Sequence, residues 1–197
     1  MIIILSIMVS FLCGSIPTGY LIIKKLHGID IRTKGSGNIG STNVNRVAGR
    51  KISIITQIVD ISKGIIPVAL GICLAKIFEL QISMDTYLSI IAIAVILGHD
   101  FTPFLGFNGG KGVNTTIGAF FVIVPIPTLV GVAVHFILRL FTSIVSIRSI
   151  AIGVTIPLMC TIMKAPVSII VSSLIACVLM IYKHKDNLIR LLHNEEK

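Results

Sequence analysis

The sequence predicts an all-α, polytopic membrane protein with about seven transmembrane helices, its N-terminus outside and its C-terminus cytoplasmic. Three observations predict it. The 197-residue chain is 54% hydrophobic and only 13% charged, where a soluble domain carries about a quarter charged residues. Long apolar runs recur from end to end, and MIIILSIMVSFL or YLSIIAIAVILG do not alternate as the strands of a membrane β-barrel would. The basic residues fall almost wholly in the loops of one side.

Spans are expected near 2–23, 52–77, 86–105, 113–124, 126–141, 149–163 and 166–183. The first has no basic segment before it and leads into another polar loop and span. It reads as a retained helix, not a signal peptide. The fourth and sixth are short for a crossing of about 20 residues. Pro125 and Pro127 divide the fourth from the fifth, either as a tight external turn or as the tip of a re-entrant pair. A single integral-membrane domain over 1–197 is expected, with no internal repeat.

Charge orients the spans. Loops 24–51, 106–112, 139–148 and the tail after 183 share one side. They hold Lys24, Lys25, Arg32, Lys34, Arg46, Arg50, Lys51, Lys111, Arg139, Arg148, Lys183, Lys185, Arg190 and Lys197. The other side holds Lys76 and Lys164, and Lys63 lies within a span. Fourteen against two makes the first side cytoplasmic. The same rule accounts for the net charge of +9 without nucleic acid as a partner. The four cysteines, Cys13, Cys73, Cys160 and Cys177, stand singly in apolar segments. None has metal-ligand spacing, so they read as small buried hydrophobes.

The polar loops carry the chemistry. Residues 34–51, KGSGNIGSTNVNRVAGRK, contain four glycines, three asparagines, two serines and four basic residues, with no carboxylate. Glycine lets successive backbone N–H groups aim at one anion. Ser36, Asn38, Ser41, Thr42 and Asn43 add neutral donors, and Arg46 offers a fork that matches phosphate. Composition alone fits a flexible basic loop equally well. A second loop, GHDFTPFLGFNGGKGVNTT (98–116), sets Gly109, Gly110 and Gly112 around Lys111 at the start of a helix, a place suited to an anion. It is not a nucleotide P-loop. Only three residues separate Gly106 from the Gly-Lys pair, and Gly112 stands where Ser or Thr is needed.

In the tail, HKDNLIRLLHNEEK, His184, Asn187 and Arg190 are spaced to share a helix face. A snorkelling helix end is the simpler reading of that segment alone. Ser143, Ser146 and Ser149 recur every third residue, where hydroxyls often serve helix ends. Asp60 and Lys63 sit three apart inside a span and read as a structural ion pair. His99 and Asp100 stand at a helix end and could orient the second loop. His135 reads as a core histidine.

Taken together, these segments resemble the bacterial PlsY family of membrane-integral acyltransferases. SGNIGSTNVNR (36–46) resembles its first motif, with Ser41 where Ala is common. GHDFTPFLGFNGGKGV resembles the second. HKDNLIRLLHNE resembles the third, with Leu188 in place of Ile and with Asn194 and Glu196 at the Gly and Glu positions. GSIPTGYLI (14–22) is also typical, and the likeness covers the chain. TSIVSIRSI departs: Ser143 stands where Arg is usual, and Arg148 where a small residue is usual.

The resemblance implies a seven-helix fold in the bacterial inner (cell) membrane with a cytoplasmic active site. It implies acyl transfer from acyl phosphate to the 1-hydroxyl of glycerol 3-phosphate, giving lysophosphatidic acid and phosphate early in phospholipid synthesis. The catalytic set expected is Ser36, Arg46, Lys111, His184 and Asn187. Gly37, Asn38, Gly40, Asn43, Gly109, Gly110, Gly112, Ser146, Ser149 and Arg190 are expected to bind substrate. No cofactor, metal, coenzyme A or acyl carrier protein is expected. The expected partners are the two substrates, membrane lipids and the enzyme that makes acyl phosphate. The rival class is a small transporter of a phosphorylated solute, which polar loops between short helices would also suit. Against it, no inverted repeat is visible and the motifs cluster on one face.

Overall fold

The computed structural model describes residues 1–196, so Lys197, counted above on the basic side, lies outside the described residues. The helices are α1 (Ile2–Ser15), α2 (Thr18–His27), α3 (Ser41–Ile77), α4 (Met84–Asp100), α5 (Val113–Ile123), α6 (Pro125–Leu138), α7 (Val145–Ile162), α8 (Val167–Lys183) and α9 (Lys185–Leu192). Two single 3-10 turns complete the regular structure, and no strand occurs among the described residues.

Among the described residues, four segments are long and apolar enough to cross a membrane, or five if α8 and α9, bent by 54°, count as one. The protein is therefore an all-α, multi-pass membrane protein. At 11 and 14 residues, α5 and α6 fall short of the usual crossing length. Pro125 takes the first position of α6, where its missing N–H costs nothing. Only Val124 separates the two helices.

The expected first span near 2–23 is two helices. Pro17 cannot donate to the helical ladder, and the chain is extended at Ile16. A break inside lipid must have its carbonyls satisfied. Lys63 Nζ donates to the Ile16 carbonyl at 3.0 Å, and Thr102 Oγ1 to the Ser15 carbonyl at 2.6 Å. Lys63 also pairs with Asp60 at 3.0 Å, both side chains buried. The intramembrane charges thus staple a broken helix, a cation lying at its carbonyl end.

The span expected at 52–77 begins earlier. Residues 41–48 already form a short helix of about two turns, and Gly49, at φ 81°, redirects the chain before the long apolar run. Ser53 Oγ donates across that kink to the Ser41 carbonyl at 2.8 Å.

The main helix pairs are α1 with α4, α3 with α5, α6 with α7, and α7 with α8. Small residues let two of these backbones touch. A Cβ on Gly98 would lie 2.1 Å from the Phe11 carbonyl oxygen, and one on Gly118 2.1 Å from that of Ile61. Tyr87, Ile91, Val95, Phe120, Ile152 and Ile156 form the central core. A second cluster of Ile23, Ile31, Ile39, Val44 and Leu105 pins the first polar loop to α2 and to the turn after α4. Outward positions such as Met8 and Leu12 on α1 or Val171 and Val178 on α8 are apolar and exposed, as a lipid-facing surface requires.

Candidate active site

The first loop is built around Asn43, which is buried at 1% exposure. Its Oδ1 accepts from the Ser36 amide at 2.8 Å. Its Nδ2 lies within reach of the carbonyls of Asn38 (2.8 Å), Lys34 (3.0 Å) and Ile31 (3.4 Å). The Asn38 side chain in turn accepts from the Gly40 amide at 2.9 Å. Gly35 and Gly37 take positive φ, which closes the turn. Asn43 was expected to touch substrate; the structure gives its amide to the loop. What the loop presents outward is exposed Ser36 and Arg46. Ser41 Oγ accepts from Asn114 Nδ2 at 3.2 Å and ties this loop to the first turn of α5.

The second loop folds back on the end of α4. The amides of Gly109 and Gly110 donate to the Asp100 and His99 carbonyls at 3.2 and 3.0 Å. A Cβ on Gly110 would lie 2.0 Å from His99 Nε2. These two glycines were expected to face an anion; their amides anchor the loop instead. Gly112, at φ 71°, caps α5. Lys111 is thereby held on a fixed support, and it donates to Asn187 Oδ1 on α9.

The third segment turns at His184, between α8 and α9. His184 is 3% exposed, and its Nδ1 lies 2.8 Å from the Met180 carbonyl. A carbonyl only accepts, so Nδ1 carries the proton and Nε2 keeps its lone pair. Beyond α9 the chain reverses. The Glu195 amide donates to the Arg190 carbonyl at 2.8 Å and the Asn194 amide to Leu191 at 3.1 Å, with Asn194 at φ 59°. This is a Schellman turn, and its left-handed position suits Gly or Asn. The turn returns Glu196 to the site. Its carboxylate accepts from Asn187 Nδ2 at 2.5 Å, Ser146 Oγ at 3.2 Å and Arg190 Nε at 2.8 Å.

Burial comes first in lowering the Lys111 ammonium to about 8. Repulsion from Arg190 and Arg46 adds to it, and Glu196 and Asp186 partly offset it. Burial likewise takes His184 down to about 4, the Met180 hydrogen bond opposing and Lys111 assisting. For Glu196 burial pushes upward, but the Asn187 and Arg190 hydrogen bonds outweigh it and hold the carboxyl below its usual range.

Sequence reading anticipated that Lys111, His184, Asn187, Arg190 and Ser146 come together, and they do. Arg46 lies near enough to disfavour the Lys111 charge. Ser149 is buried one turn along α7 from Ser146. Arg148 turns back instead, its Nη2 donating to the Ser143 carbonyl at 3.1 Å. Glu196 and Asn114 were missed as site residues. The Glu position of the third motif was the available signal for the first; nothing marked the second. No cluster of three or more metal-ligating side chains occurs among the described residues.

Fold and site together define an all-α integral membrane protein with a cationic, hydrogen-bonding cluster of side chains where the polar loops meet α9. A family model described as glycerol-3-phosphate acyltransferase matches residues 4–194, and the chain belongs to that family. It is 67% identical over 196 residues to a curated glycerol-3-phosphate acyltransferase of Clostridium acetobutylicum, covering 100% of this chain and 99% of the relative. A relative of the same description from Clostridioides difficile is 37% identical over 96% of this chain and 91% of its own. Among solved structures, PlsY, an integral membrane glycerol 3-phosphate acyltransferase, superposes in its glycerol 3-phosphate form. The TM-score is 0.89 at 33% identity, over 99% of this chain and 94% of that one. Its lysophosphatidic acid form gives a TM-score of 0.87.

Proposed function

We propose that this protein transfers an acyl group from acyl phosphate to the 1-hydroxyl of glycerol 3-phosphate, releasing lysophosphatidic acid and inorganic phosphate. Family membership supports the acceptor and the product. The observation that carries the reading of the site is the meeting of Lys111 with Asn187, beside His184, Arg190 and Arg46. That gathers cations and neutral donors where phosphates must be held.

The acyl phosphate is already activated, so the reaction needs no nucleotide. The hydroxyl oxygen attacks the acyl carbon, the bond from that carbon to the phosphate oxygen breaks, and phosphate leaves with the electron pair. Holding two anionic reactants side by side removes much of the entropic barrier. Lys111 and Arg46 offset charge on the departing phosphate. Asn187 orients Lys111, and Ser36 and Ser149 donate hydrogen bonds. His184 is a weak base with its pKa near 4. Its Nε2 lone pair orients the attacking hydroxyl, and a phosphate oxygen of the donor takes the proton. No hydrogen bond joins the Ser36 hydroxyl to a histidine or carboxylate among the described residues, so Ser36 serves as a donor and not as a nucleophile.

The site lies on the cytoplasmic face of the inner membrane, in a single domain with seven membrane segments, the N-terminus outside. The fourteen-to-two charge asymmetry supports that orientation. The deciding experiment incubates purified protein in detergent with glycerol 3-phosphate and acyl phosphate. Lysophosphatidic acid should form without a sealed membrane. A transporter would give none, and turnover only with acyl-coenzyme A would overturn the donor.

A further inference from the structure

Asp100, the last residue of α4, is 0% exposed, and neither of its carboxylate oxygens has a hydrogen-bond partner. A buried carboxylate without partners is costly and calls for a reason. Its surroundings supply one. Its main-chain carbonyl accepts from Gly109 of the second motif at 3.2 Å and from Lys183 Nζ, beside the third motif, at 2.7 Å. Its side-chain oxygens lie 3.0 and 3.3 Å from where a Cβ on Gly112 would stand. Gly112 caps α5 without any side-chain cap, so the carboxylate faces a helix N-terminus, where negative charge is favoured. Lys183 is further fixed over the Phe101 ring, 4.7 Å from its centroid.

We propose that Asp100 is a positioning residue for acyl transfer: it locks the Gly109–Gly112 loop and the Lys183–His184 junction into one geometry, so that Lys111 and His184 face the same phosphate. The idea rests on the acyl-transfer reading above. Asp100 touches neither reactant in it and acts through Lys111 and His184. Its main-chain carbonyl holds Gly109 and Lys183, and its carboxyl fills the space beside Gly112 at the α5 N-terminus, so the two motifs share one anchor. Changing the acid there should loosen the packing that keeps them in register.

The test uses the full chain in detergent. Asp100→Asn keeps the shape and replaces the acid with an amide. The expected result is a folded, monodisperse protein whose kcat is at least about tenfold lower, while KM for both substrates stays within about threefold. A second readout does not need turnover. The Lys111 amine is followed by 13C NMR of the reductively methylated protein and assigned against Lys111→Arg. In Asp100→Asn it should titrate closer to free lysine, because the loosened loop gives up part of its burial. A kcat within about twofold of wild type, or an unchanged Lys111 titration, overturns the proposal. If Asp100→Asn does not fold, Lys183→Met removes the donor to the Asp100 carbonyl and is read in the same two ways. An inactive wild-type protein would sink the acyl-transfer reading, while the Lys111 titration would still decide the role of Asp100.

Discussion

Lys111 donates to the side-chain oxygen of Asn187 across 76 residues of sequence. That single bond joins the loop before α5 to the helix after α8. Because burial has already brought the Lys111 ammonium down to about 8, its charge is lost as pH rises through that value. The kcat/KM of the wild type should therefore fall above about pH 8, well below the range of an ordinary lysine. Lys111→Ala should lose on the order of 10- to 100-fold at pH 7. Lys111→Arg should move the alkaline limb upward whatever its rate. An alkaline limb unmoved in the arginine variant would show that another group sets it.

His184 is neutral above about pH 4, so its own protonation should leave no inflection between pH 5 and 8. His184→Gln should slow the reaction and retain the acidic limb, since that limb belongs to the substrate phosphate. Steady-state pH profiles of both proteins check this. A folded variant whose acidic limb has become flat would identify His184 as the base.

Ser36→Ala should lose roughly as much as a hydrogen-bond deletion, about tenfold or more, and keep measurable activity. Intact-protein mass spectrometry of the wild type, quenched during turnover, should show no acyl adduct. Trapping such an adduct on Ser36 would replace the direct transfer with a two-step one.

Gly118→Ala should destabilise the α3–α5 pair without touching the site, because its Cβ would meet main chain and not a movable side chain. A loss of about 1–3 kcal/mol is expected, as for other overpacked positions. Thermal unfolding in detergent measures it. A stability equal to wild type would mean that these backbones are less closely packed than described.

Single cysteines in 24–51, 106–112 and the tail of a Cys-free variant should resist an impermeant thiol reagent in intact cells. Labelling of any of the three from outside would refute the proposed orientation.

How much of this could be read from the sequence differs by residue. Lys111, His184 and Asn187 were visible because each sits in a patterned polar segment between apolar runs, where nothing else explains it. The break at Pro17 was hidden because the apolar runs on either side of Gly14–Gly19 are rich enough for residues 2–27 to score as one crossing. Asn43 was legible as a polar donor but not as the anchor of its own loop. Composition cannot say which way an amide faces. Gly109 and Gly110 misled for the same reason: glycine permits both a ligand-facing turn and a close approach to α4. Glu196 depends on a reversal at Asn194, a single left-handed residue at the end of a polar tail.

The staple at Pro17 also bears on how the chain is made. A lysine near the middle of an inserting helix costs roughly 2.5–3.5 kcal/mol. Lys63 meets Asp60 on its own helix, but its other partner, the Ile16 carbonyl, belongs to the segment synthesised before it. The first 27 residues should thus serve as a docking strip for the helix that follows, and the two are expected to leave the translocon as a pair. A chain whose first 27 residues are replaced by an unbroken leucine helix should insert α3 less completely, as glycosylation mapping in microsomes would reveal.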